Sequence, residues 1–343
     1  MQLRLLDWIA CPACGEDLDL TITRSERRPV YAASPRPRTG APARDEGLRV
    51  QEGNLRCVGC DARYPVTNGV PRLMVDGAAE GPSTGHRWTR FDTAMPAWEE
   101  HLRELLAPLG PDDLLGKLVL DAGCGFGRHA FYGARWGAEV VAVDSSAEAV
   151  ASAAQNLADV DHAHVVQADL ARAPFKPAAF DVVMCHGVLH HVDDPRDIFR
   201  KLDELLGHGG RLLLSVHGPR QGFVRVATGA LRGATAEMSP EQLHRFSQGL
   251  AAVLRVVSHT PHRALRHLPV AGSVVTHLPV HDHSRWPFDV VVADIYDRLR
   301  VPLTGTFTGE EVEKWYAEAG YADIEVTRRV RNTEGFVGRG VKR

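Results

Sequence analysis

The chain has 343 residues, 44% of them hydrophobic and 24% charged, with a net charge of −3 at pH 7. That length exceeds one average domain, and the apolar content suffices for a large core. The near-neutral balance excludes whole-protein attraction to nucleic acid or membrane, and no apolar run approaches the length of a spanning helix. Asp7 interrupts the N-terminal apolar residues, so no signal-peptide core is read there. A reducing, cytoplasmic location is expected, in which cysteines serve as metal ligands rather than disulfides.

Four of the six cysteines form two knuckles, Cys11-Pro-Ala-Cys14 and Cys57-Val-Gly-Cys60. Two such pairs in a short N-terminal segment read as a tetrahedral four-thiolate zinc site, structural because it has no open position. The interval between them includes Thr23–Arg49, where seven arginines face three acids. That segment reads as a solvated loop, with RNA contact as the functional alternative. The flanking stretches Leu5-Leu-Asp-Trp-Ile-Ala-Cys-Pro and Tyr64-Pro-Val-Thr-Asn-Gly-Val-Pro-Arg-Leu resemble the zinc ribbon of the small activator subunit shared by several tRNA and protein methyltransferases. A ribbon domain over 1–77 follows. Residues 78–84 are a linker by composition, and a helix is expected from Ala97 to Ala107.

Three apolar residues, Leu118-Val-Leu, then run into Asp121-Ala122-Gly123-Cys-Gly125-Phe-Gly127 and a helical pattern. This is a buried strand, a tight turn and a helix N-terminus, where backbone comes close to a nucleotide-like ligand. The acid beside the turn suits a cationic ligand better than a pyrophosphate, which it would repel. Further strands are expected at Glu139–Val143, His164–Gln167, Phe180–Cys185 and Arg211–Val216, alternating with helices. Such alternation implies a doubly wound parallel sheet, whose ligands bind at the carboxyl ends of the strands. Gly137 and Gly207-His-Gly-Gly210 read as helix C-caps.

The glycine turn, Val140-Val-Ala-Val-Asp144-Ser145, Val165-Val-Gln-Ala-Asp169-Leu170 and Phe180-Asp-Val-Val-Met-Cys-His186-Gly-Val-Leu-His190-His191 together resemble class I S-adenosylmethionine (SAM) methyltransferases of the ubiquinone-biosynthesis type. The resemblance implies a seven-stranded Rossmann-like α/β sheet. It places SAM against Asp121, Ala122, Gly123, Gly125 and Gly127, its ribose on Asp144 and Ser145, and its adenine by Asp169 and Leu170. It also makes Trp88, with Phe91, a candidate lid over the cofactor.

The SAM-binding core spans 78–217, and a mostly helical insertion after the fifth strand, 218–304, reads as the substrate cover. Residues 305–343 complete the core, with a capping box at Thr308-Gly-Glu-Glu311 and a hairpin after it. The insertion and its flanks carry His244, His259, His262, His267, His277, His281 and His283. These read as dispersed solvated or core histidines, with His281-Asp-His283 as a candidate second metal site.

Methyl transfer needs a positioned nucleophile and, for a hydroxyl or protonated amine, a base. His186, His190 and His191 are the candidates, with Tyr296 after them. Cys185, at the end of an apolar strand, reads as a buried small residue. No Asn-Pro-Pro-Tyr follows the Phe180 strand, which argues for a small-molecule acceptor with an O, N or C nucleophile. An rRNA or tRNA base methyltransferase is the alternative, and a non-catalytic SAM-fold scaffold a third reading.

Overall fold

The computed structural model describes residues 1–28, 45, 47–75, 96–219, 222–275, 284, 286–300, 305–328 and 335–343. Trp88, Phe91, the 78–84 linker, His277, His281, His283 and most of the Arg-rich loop lie outside the described residues.

At the N-terminus a 3₁₀ turn, Leu3–Asp7, leads into an antiparallel sheet. Its strands are β1 (Leu18–Arg27), β2 (Leu48–Cys57), β3 (Arg63–Thr67) and β4 (Val70–Pro71), hydrogen-bonded in that order. The central sheet has seven strands: β5 (Leu118–Ala122), β6 (Glu139–Asp144), β7 (Ala163–Gln167), β8 (Phe180–His186), β9 (Leu206–His217), β10 (Ala322–Arg328) and β11 (Gly335–Val341). Their order is β10-β11-β9-β8-β5-β6-β7, with β5 to β9 parallel and the β10–β11 hairpin antiparallel at one side. Every residue of β5 is buried, Asp121 included, as its apolar run Leu118-Val-Leu requires of a strand covered on both faces.

The helices are set by their caps and apolar stripes. Helices α1 (Pro96–Leu106) and α2 (Pro111–Leu114) precede β5, and α3 (Arg128–Arg135) follows its glycine turn. Helix α4 (Ala147–Asn156) starts where Ser146 Oγ accepts from the Ala149 N–H at 3.2 Å. Helix α5 (Pro195–Leu205) starts on Asp194, which accepts from the Asp197 N–H, and buries Ile198, Phe199, Leu202 and Leu205.

After β9 come α6 (Gly222–Thr235), α7 (Pro240–Leu254), a π turn (Arg255–His259), α8 (Thr260–Leu265), α9 (Pro269–Val275) and α10 (Phe288–Arg300). These helices pack chiefly on one another, around Ala251, Val291, Val292 and Ile295. The chain leaves β9 at His217 and returns at Phe307, whose N–H donates to the His217 carbonyl at 2.9 Å. Both ends of the insertion therefore meet the sheet at the carboxyl end of β9.

Helix α11 (Gly309–Glu318) opens on the expected capping box: Glu311 N–H to Thr308 Oγ1 at 3.2 Å, Thr308 N–H to Glu311 carboxylate at 2.7 Å. It packs its buried Tyr316 on β11, where a Cβ at Gly338 would lie 2.8 Å from the Tyr316 ring.

The Gly207–Gly210 segment departs from expectation. It does not cap α5; strand β9 begins at Leu206, directly after the helix, and Leu206 itself is the cap with φ −85° and ψ 130°. The glycines are drawn into the sheet because Gly209 and Gly210 exchange backbone hydrogen bonds with Lys342 beyond β11.

Candidate active site and metal centre

The strand order reverses between β5 and β8, the place where doubly wound sheets have their ligand crevice. The turn after β5 holds Gly123, Gly125 and Gly127 at φ +77°, +56° and +79°. At Gly123 a side chain is also excluded by space, since a Cβ would lie 2.1 Å from Val188 Cγ2. That contact closes the segment after β8 onto the turn. The N–H groups of Gly123 and Cys124 donate to the Val143 carbonyl at 2.8 and 2.9 Å, tying the turn to β6.

Asp144, the last residue of β6, holds two loops at once. One carboxylate oxygen accepts from the Gly125 N–H at 3.0 Å and the other from the Ser146 N–H at 2.9 Å. Ser145 presents its carbonyl to Gln167 Nε2 at 2.9 Å, and the Ala168 N–H donates to the Asp144 carbonyl. Asp169 caps a 3₁₀ turn, Leu170–Arg172, by accepting from the Ala171 N–H at 2.9 Å. The ends of β5, β6 and β7 thus form one hydrogen-bonded rim. Ala122 and Leu170 are buried behind it.

Asp121 lies beneath the turn, 1% exposed, and accepts from the Ala130 N–H at 3.2 Å. Burial pushes its carboxyl up to about 7, against the pull of the Arg128 guanidinium and the Ala130 bond, with Asp144 adding to the rise. It lies at the base of α3 as a buried carboxyl that holds its proton up to near neutral pH.

Histidines gather at the end of β8 and on the elements beside it. His186 ends β8, half-buried, with ring centroids of His101 (on α1) and His129 (on α3) 5.0 and 5.1 Å away. His129 Nε2 and His101 Nδ1 are 3.4 Å apart. His190, in the 3₁₀ turn Leu189–His191, is 1% exposed, with His191 and His217 at 4.2 and 4.1 Å on either side.

In the N-terminal module the four knuckle sulfurs all lie within 4.8 Å of one another. Cys11 and Cys60 Sγ are 3.7 Å apart, and Cys14 and Cys57 Sγ are 3.3 Å apart. A tetrahedral zinc with Zn–S near 2.3 Å separates its sulfurs by about 3.8 Å, so the four thiols fit that ion. The Gly59 and Cys60 N–H groups point at Cys57 Sγ, each at 3.4 Å. Burial raises the Cys11 thiol, but the Tyr64 hydroxyl and the Ala13 and Cys14 amides more than offset it, leaving it down at about 7.

Comparison with known proteins follows the same division. A family model described as "Methyltransferase domain" matches residues 120–214, and one described as "Trm112p-like protein" matches residues 2–69. The mitochondrial ubiquinone biosynthesis O-methyltransferase of Schizosaccharomyces pombe is 35% identical over 147 residues, 40% of this chain and 51% of that protein. That of Xanthomonas euvesicatoria is 40% identical over 107 residues, 30% of this chain and 44% of that protein. The ubiquinone biosynthesis O-methyltransferase of Pectobacterium carotovorum is 30% identical over 179 residues, 51% of this chain and 72% of that protein. This chain belongs to the family of class I SAM-dependent methyltransferases and carries an N-terminal Trm112-like module. It spans about half the length of the first of these relatives.

Within the methyltransferase, the structure brings together Asp121, Gly123, Gly125, Asp144, Ser145, Asp169 and His186 at the ends of neighbouring strands. Tyr296 is 2% exposed on α10, whose main neighbours are α6 and α7. Cys185 is fully buried, and burial pushes its thiol far above the ordinary range, as a packing residue requires. Sequence reasoning passed over His101 and His129. His129 was visible two residues beyond Gly127, at the second position of α3. His101 carried no local signal, because its place depends on α1 packing across α3.

Nothing in the residues alone hinted at how tightly the methyltransferase holds its ribbon. Glu139 on β6, 2% exposed, is bonded to His164 at 2.6 Å and ion-paired with Arg4 at 3.2 Å. Burial alone would raise the Glu139 carboxyl, but His164, Arg4 and His162 bring it below the ordinary range. Arg72, after β4, forms a parallel bridge with Gln167 and donates to its Oε1 at 2.9 Å. Apolar residues of both modules (Leu5, Ile9, Leu55, Leu120, Val166) belong to one continuous core. Among the described residues no helix is long and apolar enough to cross a membrane.

Proposed function

We propose that this chain transfers the methyl group of SAM to a small-molecule acceptor, in a biosynthetic role. The observation that carries the cofactor part is the Asp144 carboxylate, held by the Gly125 and Ser146 amides at the rim of the crevice. In this reading it keeps lone pairs for two ribose hydroxyls, while Gly123 to Gly127 pass beneath the amino-acid end and Asp169 meets the adenine. When bound, SAM supplies a methyl group made electrophilic by the adjoining sulfonium. A sulfonium bound over the glycine turn would favour the ionised form of Asp121. His186 is the residue we assign beside the acceptor; buried His190, with His191 and His217 against it, lies in the turn that follows His186. The four-cysteine site of the ribbon would hold a structural zinc, closed to chemistry by its four thiolates.

The relatives' biosynthetic names and the chain's net charge of −3 support a small acceptor over RNA. The test begins with cofactor binding. SAM and its demethylated product should each raise thermal stability, by about 2.7 kcal/mol at a hundredfold excess over Kd. Asp144→Ala should weaken binding by roughly 1.5–3 kcal/mol, the loss of hydrogen bonds to a charged acceptor. Unchanged affinity in that variant would remove the ribose from Asp144. Labelled methyl should then appear in small quinol-like or amine acceptors; label in RNA, with binding that falls steeply with salt, would overturn the small-molecule reading.

A further inference from the structure

We infer that His101, His129 and His186 form a second metal site, holding a divalent cation of the zinc class through three imidazole nitrogens with a fourth position open to the crevice. One ring nitrogen from each residue lies within 4.8 Å of the other two. The His129–His101 pair, at 3.4 Å, already has the separation of two ligands on a tetrahedral ion; with Zn–N of 2.0–2.1 Å that separation is about 3.4 Å. The remaining pairs close by about 1.4 Å at most, which small side-chain torsions supply. The rings meet edge-on or tilted, at 39°, 73° and 78° between planes, so their nitrogens converge instead of stacking in parallel.

The placement is that of a built site. The three ligands come from α1, α3 and β8, three regular elements that fix them independently. His101 and His129 are buried while His186 is half-exposed, so the cluster is closed behind and open toward the carboxyl end of β8. The edge of Trp98 covers His101 at a centroid distance of 6.2 Å. The neighbouring Arg128 guanidinium lies 4.4 Å over the Trp98 ring. Three imidazoles this close repel one another when protonated, whereas neutral rings offer three lone pairs to a borderline cation once it replaces the proton of the His129–His101 hydrogen bond. Three histidines with one open position is the donor set of a reactive zinc, in contrast to the closed four-thiolate site of the ribbon.

The metal's role rests on the methyl-transfer reading; its binding does not. An acceptor hydroxyl in the open position loses its proton to solvent more readily on the cation. Its oxygen then forms the bond to the methyl carbon as the carbon–sulfur bond breaks, and the electron pair stays on sulfur.

The full-length protein, equilibrated with Zn²⁺ and freed of excess, should carry two equivalents of zinc by elemental analysis. His101→Ala and His129→Asn should each carry one, and Cys57→Ser should lose the other. Co²⁺ added to protein with a filled ribbon should give the visible bands of tetrahedral nitrogen-bound cobalt without a thiolate charge-transfer band, and none in His101→Ala. A thermal shift with the demethylated cofactor, retained in both histidine variants, shows that they fold and keeps this test separate from the cofactor assignment. A single equivalent in the unsubstituted protein, or a second equivalent that survives both histidine substitutions, would overturn the site. Methyl transfer that is undiminished when only the second equivalent is removed would overturn its role.

Discussion

The ribbon and the insertion are both additions to the same sheet, yet they are attached by different physics. The ribbon shares one core with the sheet and buries the Arg4–Glu139 ion pair, with His164 hydrogen-bonded to the same carboxylate, at the join. The insertion collects a small core of its own and leaves Val226, Val256, Val270 and Val274 more than half exposed. A buried ion pair gives a join that tolerates no partial loss, because either partner alone is an uncompensated charge. A self-packed helical layer tolerates substitution on its outer face and is free to differ from the sheet in local stability.

The sharpest way to break the comparison is at Glu139. Glu139→Gln keeps the shape and removes the buried carboxylate that pairs with Arg4, which should cost about 3–5 kcal/mol. Urea unfolding of the whole chain measures it, and Arg4→Met in the same chain should recover part of the loss. Because the folded carboxyl lies below its unfolded value, its contribution is present above the ordinary glutamate range and is lost as the pH falls through the lowered value. The Gln variant should lack that acid-side dependence. A loss under about 1 kcal/mol, the size of a single ordinary hydrogen bond, would mean that the ribbon is held by apolar contact alone.

Asp121 provides a reference that belongs to neither addition. Its folded carboxyl is raised to about 7 by burial, so the folded state keeps a proton that the unfolded chain has released. Stability therefore falls as the pH rises through the window between the ordinary aspartate range and about 7. Between about pH 6 and 8 this amounts to roughly 1–2 kcal/mol. Asp121→Asn, which can still accept from the Ala130 N–H, should flatten that slope relative to the unsubstituted protein. An identical slope in both would show that Asp121 stays ionised when folded.

A smaller effect should cross from the ribbon to the crevice. Arg72 bonds Gln167, Gln167 bonds the Ser145 carbonyl, and Ser145 adjoins Asp144. Arg72→Ala removes the first of these bonds, worth about 1 kcal/mol. The expected readout is a several-fold weaker binding of SAM with the ribbon still folded. Full retention of affinity would confine the ribbon to support of stability.

Much of this was legible in the residues. The five parallel strands were readable from apolar runs, three of which lead into acids, since a strand buried on both faces leaves no alternation to confuse. The glycine turn, the Thr308 capping box and the cysteine knuckles each carry a local geometric demand that the sequence must state openly. What stayed hidden depends on distant parts of the chain meeting. Arg4 and Glu139 are ordinary surface types until the fold buries them together, and His101 gains meaning only when α1 crosses α3. Gly207–Gly210 misled because a glycine run suits a helix end equally well as a strand paired with Lys342.

The smallest effect belongs on the outer face of the insertion. Val270, 78% exposed on α9, and Val256, 70% exposed in the π turn, bury little surface in this chain. Their replacement by Ser removes apolar area that is already in water, so the hydrophobic term changes little. Substitutions of this kind stay within about 0.5 kcal/mol. The pair Val256→Ser and Val270→Ser should thus leave the urea midpoint unmoved, while Glu139→Gln shifts it strongly. Should the valine pair destabilise the chain by more than about 1 kcal/mol, beyond the range of exposed positions, those side chains are covered in solution, and the insertion is bound to its surroundings as firmly as the ribbon is bound to the sheet.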